Sequence, residues 1–540
     1  MSRVRNVVVV SAVGLVFVTT CLLAACNALL DTGAYFESPD VGVGDTAGFD
    51  GPGSDTLSPD ASCTDEAGFF GGGCFDCPAT DKTELENECT SAQCSPFNDS
   101  LRLPLDGGPL PSLPTPDGGV DAPPDTTPPP DTGTPADSGA PDAPDDTGPT
   151  LPECATLTGG KVIYAIGSTA VQLFIGKVAQ TLENDAAPIS IVYQAQGSCI
   201  GVDAIVNPTS NPMSGQAVYW NPDLSVDPTT DAARLPCNLP SAGVTADLGF
   251  SDVFATTCLD LPLGLDKSIA DTFGPVQVMA LTVPQNSTET TISASAAYLV
   301  FGFGGTQYPV PPWTDPTYIF QRSATSGTQN MIASTIDVPA AQWFGVKNAG
   351  STNVRDALIA AGGAGLDIAK KAIGILSSDI TDDLRDQLHV LAFQDYDQHC
   401  SFWPDSTPNA FDKINVRDGH YPIWGPLHML AHVSGGVPVN DSVARVLSII
   451  TGSETLSGVD IIDLYAKRHL TPLCAMHVQR GKDGGEITPF SPAKACNCYF
   501  EEKATGVVPP PGCTICSGDK DCAAPTPNCN TFGGNGYCEP

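Results

Sequence analysis

The residues best suited to chemistry in this chain are short hydroxyl- and glycine-containing segments at the ends of predicted strands. They are Gly167-Ser168-Thr169, Gly197-Ser198, Ser251-Asp252 and Ser326-Gly327-Thr328. At three of them a helix is predicted to begin where the strand ends, and the first turn of a helix exposes N–H groups with a partial positive charge. Several such helix ends that meet in one cleft can hold an anion, and Ser and Thr add hydroxyl donors. Each segment taken alone is more typical of an ordinary helix N-cap.

Two charged residues make the set more specific. Arg322 stands four residues before Ser326, and a planar guanidinium can hold two oxygens of a tetrahedral oxyanion while helix N–H groups hold another. Asp252 is the other, and an ordinary helix cap is one role for its carboxylate.

The elements that position these residues alternate between strand and helix from about Lys161 onward. The predicted strands are Lys161–Ile166, Ile189–Tyr193, Ala246–Phe250, Val276–Val283 and Tyr318–Phe320, and the predicted helices cover Gly167–Leu182 and Gly197–Val206. This alternation predicts an α/β fold with mostly parallel sheets. Residues 207–245 are rich in Pro and Asn and are predicted to be an inserted loop region.

Three segments resemble motifs of the substrate-binding proteins of phosphate ABC transporters (the PstS type). Tyr193-Gln-Ala-Gln-Gly-Ser198 is similar to that family's Tyr-Gln-x-x-Gly-Ser segment, and Ala246-Asp-Leu-Gly-Phe-Ser251-Asp252 is similar to its Asp-Phe-Gly-x-Ser-Asp. Gly419-His-Tyr421-Pro422-Ile423 is similar to its Tyr-Pro-hydrophobic strand. The order of these motifs matches over residues 161–435.

The resemblance implies a two-lobed periplasmic-binding-protein (type II) fold within residues 155–495. One lobe would comprise about 155–280 with 410–495, and the other about 281–409. It implies that phosphate or a similar oxyanion binds between the lobes without a cofactor, and that an ABC permease is the partner. The implied ligand-binding residues are Thr169, Ala170, Ser198, Asp252, Arg322, Ser326, Gly327 and Thr328. In that position the Asp252 carboxylate repels an anion unless the ligand donates a proton to it. Hydrogen phosphate carries that proton and sulfate does not, so Asp252 favours phosphate over sulfate.

This chain also departs from the family pattern. Ala324-Thr325 stands where the family has Asp-Gly, which implies that a supporting contact to Arg322 is lost. The segment between Ser198 and Asp252 is longer than usual, and Cys199 is unusual beside the implied ligand serine. These differences concern the identity of the oxyanion more than the fold.

The charge balance excludes some partners. The chain has 24 Lys+Arg against 61 Asp+Glu, a formal net charge of −37. A surface that binds nucleic acid needs clustered Lys and Arg to neutralise phosphates, and a surface that binds anionic lipid needs the same. The sequence therefore predicts no nucleic-acid partner, and contact with a membrane only through a lipid anchor.

The N-terminal residues indicate export. Residues 1–25 predict a signal peptide, with Arg3 and Arg5 before an apolar stretch, and Leu23-Ala24-Ala25-Cys26 resembles a bacterial lipobox. The resemblance implies a lipid on Cys26 and a place in the bacterial cell envelope, in the periplasm or at the outer membrane and cell surface. An ordinary signal peptide or anchor helix is the alternative. Residues 26–62 are predicted to be a flexible tether, and the Pro/Asp/Thr/Gly-rich residues 99–153 a linker.

Cysteine usage agrees with an oxidising compartment. Of 20 cysteines, Cys21 and Cys26 belong to the N-terminal signal, which leaves an even number for disulfides. The clusters predict small disulfide-rich modules at 63–98 and 496–540. The Cys74/Cys77 and Cys513/Cys516 spacings also fit zinc, but neither cluster contains a histidine, so disulfides are preferred.

No enzyme motif is found: there is no Gly-x-Ser-x-Gly elbow, Walker A loop or His-Glu-x-x-His. His428 and His432 could bind zinc from one face of a helix, and Asp395, Asp397 and His399 form a second metal-like group. Core histidines and a solvated loop are the preferred interpretations.

The sequence thus predicts a non-enzyme, a phosphate-binding lipoprotein for ABC-type uptake. The alternative is a surface-displayed structural or interaction lipoprotein that keeps the fold without transport. Phosphomonoester hydrolysis would need a metal or nucleophile that the sequence does not show.

Overall fold

The computed structural model describes residues 69–70, 74–105, 107–114 and 151–540. The predicted signal peptide, Cys26 and the tether lie outside the described residues, as do residues 115–150 of the predicted linker. No helix in the described part of the chain is long and apolar enough to cross a lipid bilayer.

The strands and helices are numbered in chain order. The strands are β1 (Phe69–Phe70), β2 (Cys74–Phe75), β3 (Val162–Gly167), β4 (Ser190–Ala195), β5 (Gln216–Trp220), β6 (Arg234–Asn238), β7 (Leu248–Ser251), β8 (Ile269–Pro284), β9 (Thr291–Ser293), β10 (Ile319–Gln321), β11 (Val346–Lys347), β12 (Ile373–Ser377), β13 (Leu388–Val390), β14 (Ala392–Gln394), β15 (Trp424–Ser434), β16 (Val437–Pro438), β17 (Val478–Arg480), β18 (Ile487–Pro489), β19 (Asn528–Phe532) and β20 (Asn535–Glu539).

The α-helices are α1 (Lys82–Glu86), α2 (Asp99–Arg102), α3 (Gln172–Glu183), α4 (Ser198–Val206), α5 (Ala255–Cys258), α6 (Ala294–Phe303), α7 (Gly327–Thr335), α8 (Ser351–Gly363), α9 (Leu366–Ala369), α10 (Ser378–Thr381), α11 (Ile414–Arg417), α12 (Asp441–Ile450), α13 (Ile461–Lys467) and α14 (Asn497–Thr505). Short 3-10 helices lie at Cys154–Gly160, Asp231–Ala233, Pro316–Tyr318, Ala340–Gln342, Asp382–Leu384, Leu473–Ala475 and Asp519–Asp521.

A large sheet organises the fold, in the strand order β11-β10-β12-β8-β15-β7-β3-β4-β5-β6. Parallel pairs occur in its two halves, where β3 pairs with β4 and β7, and β10 pairs with β11 and β12. The long strands β8 and β15 lie between these halves and are antiparallel to their neighbours. The α/β class is confirmed, with parallel pairing confined to the two halves.

Strand β8 joins the two halves. Its first part, up to Val278, pairs with β15, and its last part, from Met279, pairs with β12. Residues 276–284 are buried without interruption because this stretch is covered on both faces, and its sequence is accordingly apolar except for Gln277 and Thr282. The chain crosses back between the halves just before Trp424, where β15 begins.

Each half has its own hydrophobic core, which defines two lobes. The core of the first lobe includes Ile163, Phe174, Ile191, Leu248 and Val446. The core of the second lobe includes Met279, Leu299, Ile332, Ile375 and Tyr421. The predicted two-lobed binding-protein architecture is therefore present. Residues 476–490, assigned from the sequence to the first lobe, contribute Met476, Val478 and Ile487 to the core of the second.

Residues 74–114 pack against the second lobe. Leu85, Phe97 and Leu103 are buried in its core, and the Cys94–Cys400 disulfide ties the segment to it. Residues 99–114, assigned from the sequence to the linker, are part of this packing because leucines spaced between their prolines reach the core. We call residues 74–114 the N-terminal strap.

Some local predictions differ from the structure. Residues 207–245 form the antiparallel strands β5 and β6, because Trp220 at the end of β5 brings a large apolar ring into the core. Helix α3 begins at Gln172 instead of Gly167, since the Ser168 hydroxyl accepts a hydrogen bond from the Ala170 N–H and shapes a turn there. The strand predicted at Tyr421–Ile423 begins only at Trp424.

The two metal-like groups lie in different surroundings. His428 and His432 lie on strand β15 and not on a helix, and His428 is fully buried, as predicted for a core histidine. The solvated-loop prediction is correct for Asp397 and His399, which are exposed, but wrong for Asp395, which is buried and pairs with the Lys82 Nζ at 2.9 Å. The His/Cys/Asp/Glu group in the described part with metal-like spacing is Cys516, Cys522 and Cys529, and all three are in disulfides.

The predicted disulfides are confirmed in the described residues. The pairs are Cys74–Cys89, Cys94–Cys400, Cys154–Cys237, Cys199–Cys258, Cys474–Cys496, Cys498–Cys513, Cys516–Cys529 and Cys522–Cys538. Cys77 is also disulfide-bonded. The cysteines of both C-x-x-C segments are therefore oxidised, as expected of exported thiols.

We expect Phe97→Ala to lower the free energy of unfolding by about 3–5 kcal/mol, because the ring is 5% exposed and its loss leaves a cavity in the core of the second lobe. Leu101→Ala in the same strap is the control, since that side chain is 82% exposed. Denaturant unfolding measures both. Equal small effects for the two variants would show that the strap does not stabilise the domain.

Candidate functional site

Helix α4 begins at the contact between the lobes. Gly197, directly before it, has a φ of 108°, a backbone conformation that favours glycine, and a Cβ placed there would lie 3.0 Å from the Thr325 carbonyl oxygen. The Cys199 N–H in the first turn donates to that same carbonyl at 3.2 Å. The start of α4 therefore touches the loop before α7 on the second lobe.

Asp252 follows strand β7 and is 2% exposed. Its Oδ2 accepts hydrogen bonds from Ser168 Oγ at 2.7 Å and from Ser198 Oγ at 3.0 Å. Its own N–H donates to Ser198 Oγ at 3.2 Å. Both hydroxyl groups therefore donate to Oδ2. These two bonds fix the orientation of the carboxylate and hence the direction of Oδ1.

The second oxygen of Asp252 is different. Oδ1 is buried, and no hydrogen-bond partner for it exists among the described residues. Burial raises the pKa of Asp252, while the donors Ser168 and Ser198 and the charge of Arg322 oppose this rise. A ligand that brings a proton to Oδ1 would satisfy this buried acceptor.

Arg322 follows strand β10 on the second lobe and is 2% exposed. Its Nη1 donates to Ser351 Oγ, and its Nη2 lies 3.4 Å from the Ala349 carbonyl oxygen. Ser351 and Ala349, at the start of α8, support the guanidinium where the family's Asp-Gly was expected to do so. Its Nε is buried without a hydrogen-bond partner within the described part of the chain.

The two charges influence each other across the cleft. Burial lowers the pKa of Arg322, and the negative charge of Asp252 acts in the opposite direction. The site therefore pairs a cation of one lobe with a carboxylate of the other, and each retains one unpartnered polar atom. Such atoms are costly unless a ligand or water satisfies them.

Helix α7 meets the first lobe at Gly327. A Cβ placed on this residue would lie 2.2 Å from Ser198 Oγ and 2.6 Å from Asp252 Oδ2. No larger side chain fits without movement of the backbone or of these groups. The first turn of α7 therefore lies against the same hydroxyl and carboxylate that the first lobe contributes.

The structure brings most of the predicted residues together. Ser198, Asp252 and Gly327 are in mutual contact, and Arg322 acts on Asp252 electrostatically. The other predicted residues lie in the two adjoining segments: Thr169 and Ala170 in the turn before α3, and Ser326 and Thr328, both buried, at the start of α7. The Ala170 N–H is already bonded to Ser168 Oγ. Ligand binding by these residues stays a prediction.

Sequence reasoning missed two residues. One of the two hydroxyl groups that donate to Asp252 belongs to Ser168, one position before the predicted Thr169. The segment that contains Ser168 and Thr169 was recognised from the sequence. Asp379, in α10 after strand β12, is 4% exposed, and its Oδ2 has no partner among the residues described. Burial, with a further contribution from the charge of Asp252, raises the pKa of Asp379 to about 7. Ser377-Ser378-Asp379 resembles an ordinary helix cap, so no signal in the sequence indicated it.

The disulfide at the site joins two of its segments. Cys199 in the first turn of α4 bonds to Cys258 at the end of α5, which places the residues after Asp252 against α4. Cys199, the unusual cysteine beside Ser198, therefore has a structural role, because its sulfur is in a disulfide. It holds Ser198 and the chain that follows Asp252 in one unit.

Comparison with known proteins gives only distant structural matches. Neither protein-family models nor curated protein sequences match this chain. Among solved structures, a phosphate ABC transporter-type substrate-binding protein with bound phosphate from Clostridium perfringens is similar with a TM-score of 0.37 and 13% identity, covering 58% of this chain and 99% of the other. An ABC-type phosphate transport receptor from Vibrio cholerae has a TM-score of 0.35 and 12% identity, with coverages of 57% and 99%.

A phosphate-binding protein from Stenotrophomonas maltophilia has a TM-score of 0.34 and 14% identity, with coverages of 58% of this chain and 90% of the other. These three neighbours are named as proteins of phosphate binding or phosphate transport. The function proposed below is derived from the residues of the site.

We expect Asp379→Asn to raise the melting temperature at pH 8 and to do so much less at pH 5. The folded-state pKa of Asp379 is about 7, above that of an unfolded carboxyl, so the wild type loses stability as the pH rises through this interval, and the amide does not. Asp367→Asn, an exposed carboxylate in α9, is the control. Calorimetry at both pH values that gave the same difference for Asp379→Asn would contradict this expectation.

Proposed function

We propose that this chain is an extracytoplasmic solute-binding lipoprotein that holds phosphate, or a closely similar protonated tetrahedral oxyanion, between its two lobes. The observation that carries the proposal is the pair of buried unpartnered atoms, Asp252 Oδ1 on one lobe and Arg322 Nε on the other. Asp252 Oδ1 can accept a hydrogen bond, and the N–H of Arg322 Nε can donate one. Hydrogen phosphate offers both an O–H and oxyanion acceptors, so it satisfies the two atoms together.

The surrounding groups fit the same ligand. The helices α4 and α7 begin at the site, and their first-turn N–H groups favour negative charge. Asp252 uses its other oxygen for Ser168 and Ser198, so it stays oriented toward the cleft. An anion buried between the lobes would exchange its water for the dipoles of the two helix ends and the guanidinium of Arg322. A protein with a negative net charge can bind an anion in this way.

ABC-type uptake with a permease is the role that we propose for this binding, with the lipid on Cys26 as the membrane anchor. The second candidate is a structural or interaction role. It is favoured by the N-terminal strap, which is an addition to the two lobes and is disulfide-bonded to the second lobe. Phosphate released from denatured purified protein, at near one per chain, would support binding. Absence of release, together with absence of phosphate binding in calorimetry, would favour the second candidate.

We expect Arg322→Ala to weaken phosphate binding by about 2–5 kcal/mol, because it leaves a buried anion without its cation. Titration calorimetry measures the effect. Arg355→Ala is a matched control, since Arg355 lies in α8 of the same lobe with its side chain 35% exposed. Unchanged affinity in Arg322→Ala would remove this residue from the site.

Asp252→Asn should narrow the preference for phosphate over sulfate, because the amide no longer requires a proton from the ligand and no longer repels a fully ionised anion. Asn is similar in size and keeps an oxygen that can accept from Ser168 and Ser198. Competition binding with the two anions measures the preference. If selectivity stays that of the wild type, proton acceptance by Asp252 does not discriminate between them.

A further inference from the structure

The β17–β18 hairpin lies at the junction of the lobes and is outside every motif considered above. Its strands pair from Val478 to Arg480 and from Ile487 to Pro489, and the turn between them contains Lys482-Asp-Gly-Gly485. Val478 and Ile487 pack in the core of the second lobe. The hairpin therefore belongs to the second lobe, while its turn extends toward the first.

Arg480 fixes the hairpin to the place where the chain crosses between the lobes. Its Nη1 donates to the carbonyl oxygens of Pro422 at 2.9 Å and Trp424 at 3.1 Å, and its guanidinium lies 4.3 Å from the centre of the Trp424 ring. Arg480 is 7% exposed. These contacts hold the base of the hairpin against the beginning of strand β15.

Asp483, in the turn, binds the first lobe. Its Oδ2 accepts hydrogen bonds from the Phe254 N–H at 2.9 Å and from Thr257 Oγ1 at 2.6 Å. Asp483 is 7% exposed, so these bonds are shielded from water. Phe254 and Thr257 lie two and five residues after Asp252, in the stretch that Cys258 ties to α4.

The same turn also contacts helix α7, whose first residues line the anion site. A Cβ placed on Gly484 would lie 2.3 Å from the Ser334 carbonyl oxygen, near the end of α7. A Cβ on Gly425 would lie 3.3 Å from the Asp252 carbonyl oxygen and 3.6 Å from Asp483 Oδ1. One short turn is thus in contact with the residues after Asp252 and with the helix that carries Gly327.

Burial raises the pKa of Asp483, while its hydrogen-bond donors and nearby positive charges oppose this rise. His428 of β15 and Arg480 of β17 both act on Asp483, and His428 is in turn paired with Asp271 of β8, whose Oδ2 lies 2.7 Å from its Nδ1. The His428 ring also packs edge-on against Phe254 at 4.3 Å between ring centres. The segment 252–258 is therefore held from two sides, by Asp483 and by His428.

We propose that Asp483 is a positioning residue for the anion site. It clamps the segment after Asp252 against the second lobe, so that Asp252 keeps its orientation and the lobes stay together around the ligand. The effect on ligand binding rests on the proposed function, whereas the clamp itself does not. A chain with this clamp releases its anion slowly, because opening of the cleft first breaks two buried hydrogen bonds.

The test compares Asp483→Ala, which removes the acceptor, with Asp483→Asn, which keeps an oxygen for both donors. Hydrogen exchange of the amides in 252–258, measured without added phosphate, should be about 10-fold or more faster in Asp483→Ala and close to wild type in Asp483→Asn. Asp315→Ala is the matched control, because Asp315 also accepts from one backbone N–H and one threonine hydroxyl, but in an exposed turn before β10. It should leave exchange in 252–258 unchanged.

Phosphate kinetics give the second measurement. We expect dissociation to be about 10-fold or more faster in Asp483→Ala, with a much smaller change in the association rate constant. Thr257→Val removes one of the two hydrogen bonds at nearly constant size and should show a smaller increase of the same kind. It also replaces Asp483→Ala if that variant does not fold.

The outcomes are distinguishable. Unchanged exchange in 252–258 overturns the clamp. Faster exchange with unchanged phosphate affinity and dissociation, accompanied only by a lower melting temperature, shows a structural role and overturns positioning. If the wild type does not bind phosphate, the proposed function is wrong, and the exchange comparison still decides whether Asp483 clamps the segment.

Discussion

The site depends on one buried carboxylate, Asp252, which has unequal oxygens. Two serine hydroxyls from different segments occupy Oδ2, and Oδ1 has no partner in the described part of the chain. A buried carboxylate is costly to charge, and the hydrogen bonds and the guanidinium of Arg322 on the other lobe offset part of that cost. The lobes approach each other closely at Gly327, because glycine has no side chain that would displace Ser198 Oγ or Asp252 Oδ2.

Several parts of the chain serve to maintain that arrangement. The Cys199–Cys258 disulfide joins α4 to the segment after Asp252, and the hairpin turn at Asp483 contacts this segment from the second lobe. The N-terminal strap buries Phe97 in the second lobe and is bonded to it through Cys94. These attachments thus pack on the two-lobed core and connect segments that are distant in the sequence.

Sequence patterns identified the segments that meet at the candidate site, because local chemistry and chain order suffice for this. Ser198 and Asp252 were selected because they lie shortly after predicted strands, and Arg322 because of its spacing to the Ser326-Gly327-Thr328 helix start. Ser168 stands in the same predicted segment as Thr169, but its hydrogen bond to Asp252 was not predicted. Which of two adjacent hydroxyl side chains faces Asp252 depends on the turn before α3, and the sequence does not show that turn.

The sequence by itself determined the α/β character, the oxidised cysteines and the segments that meet at the candidate site, because these depend on composition, periodicity and residue type. Tertiary structure alone decided the rest. That Asp379 is buried, that Ser351 supports Arg322 and that Asp483 reaches Phe254 are consequences of contacts between residues 29 to 229 positions apart. Such contacts are selected by the packing of whole lobes, and the short polar segments that make them look like ordinary turns and caps.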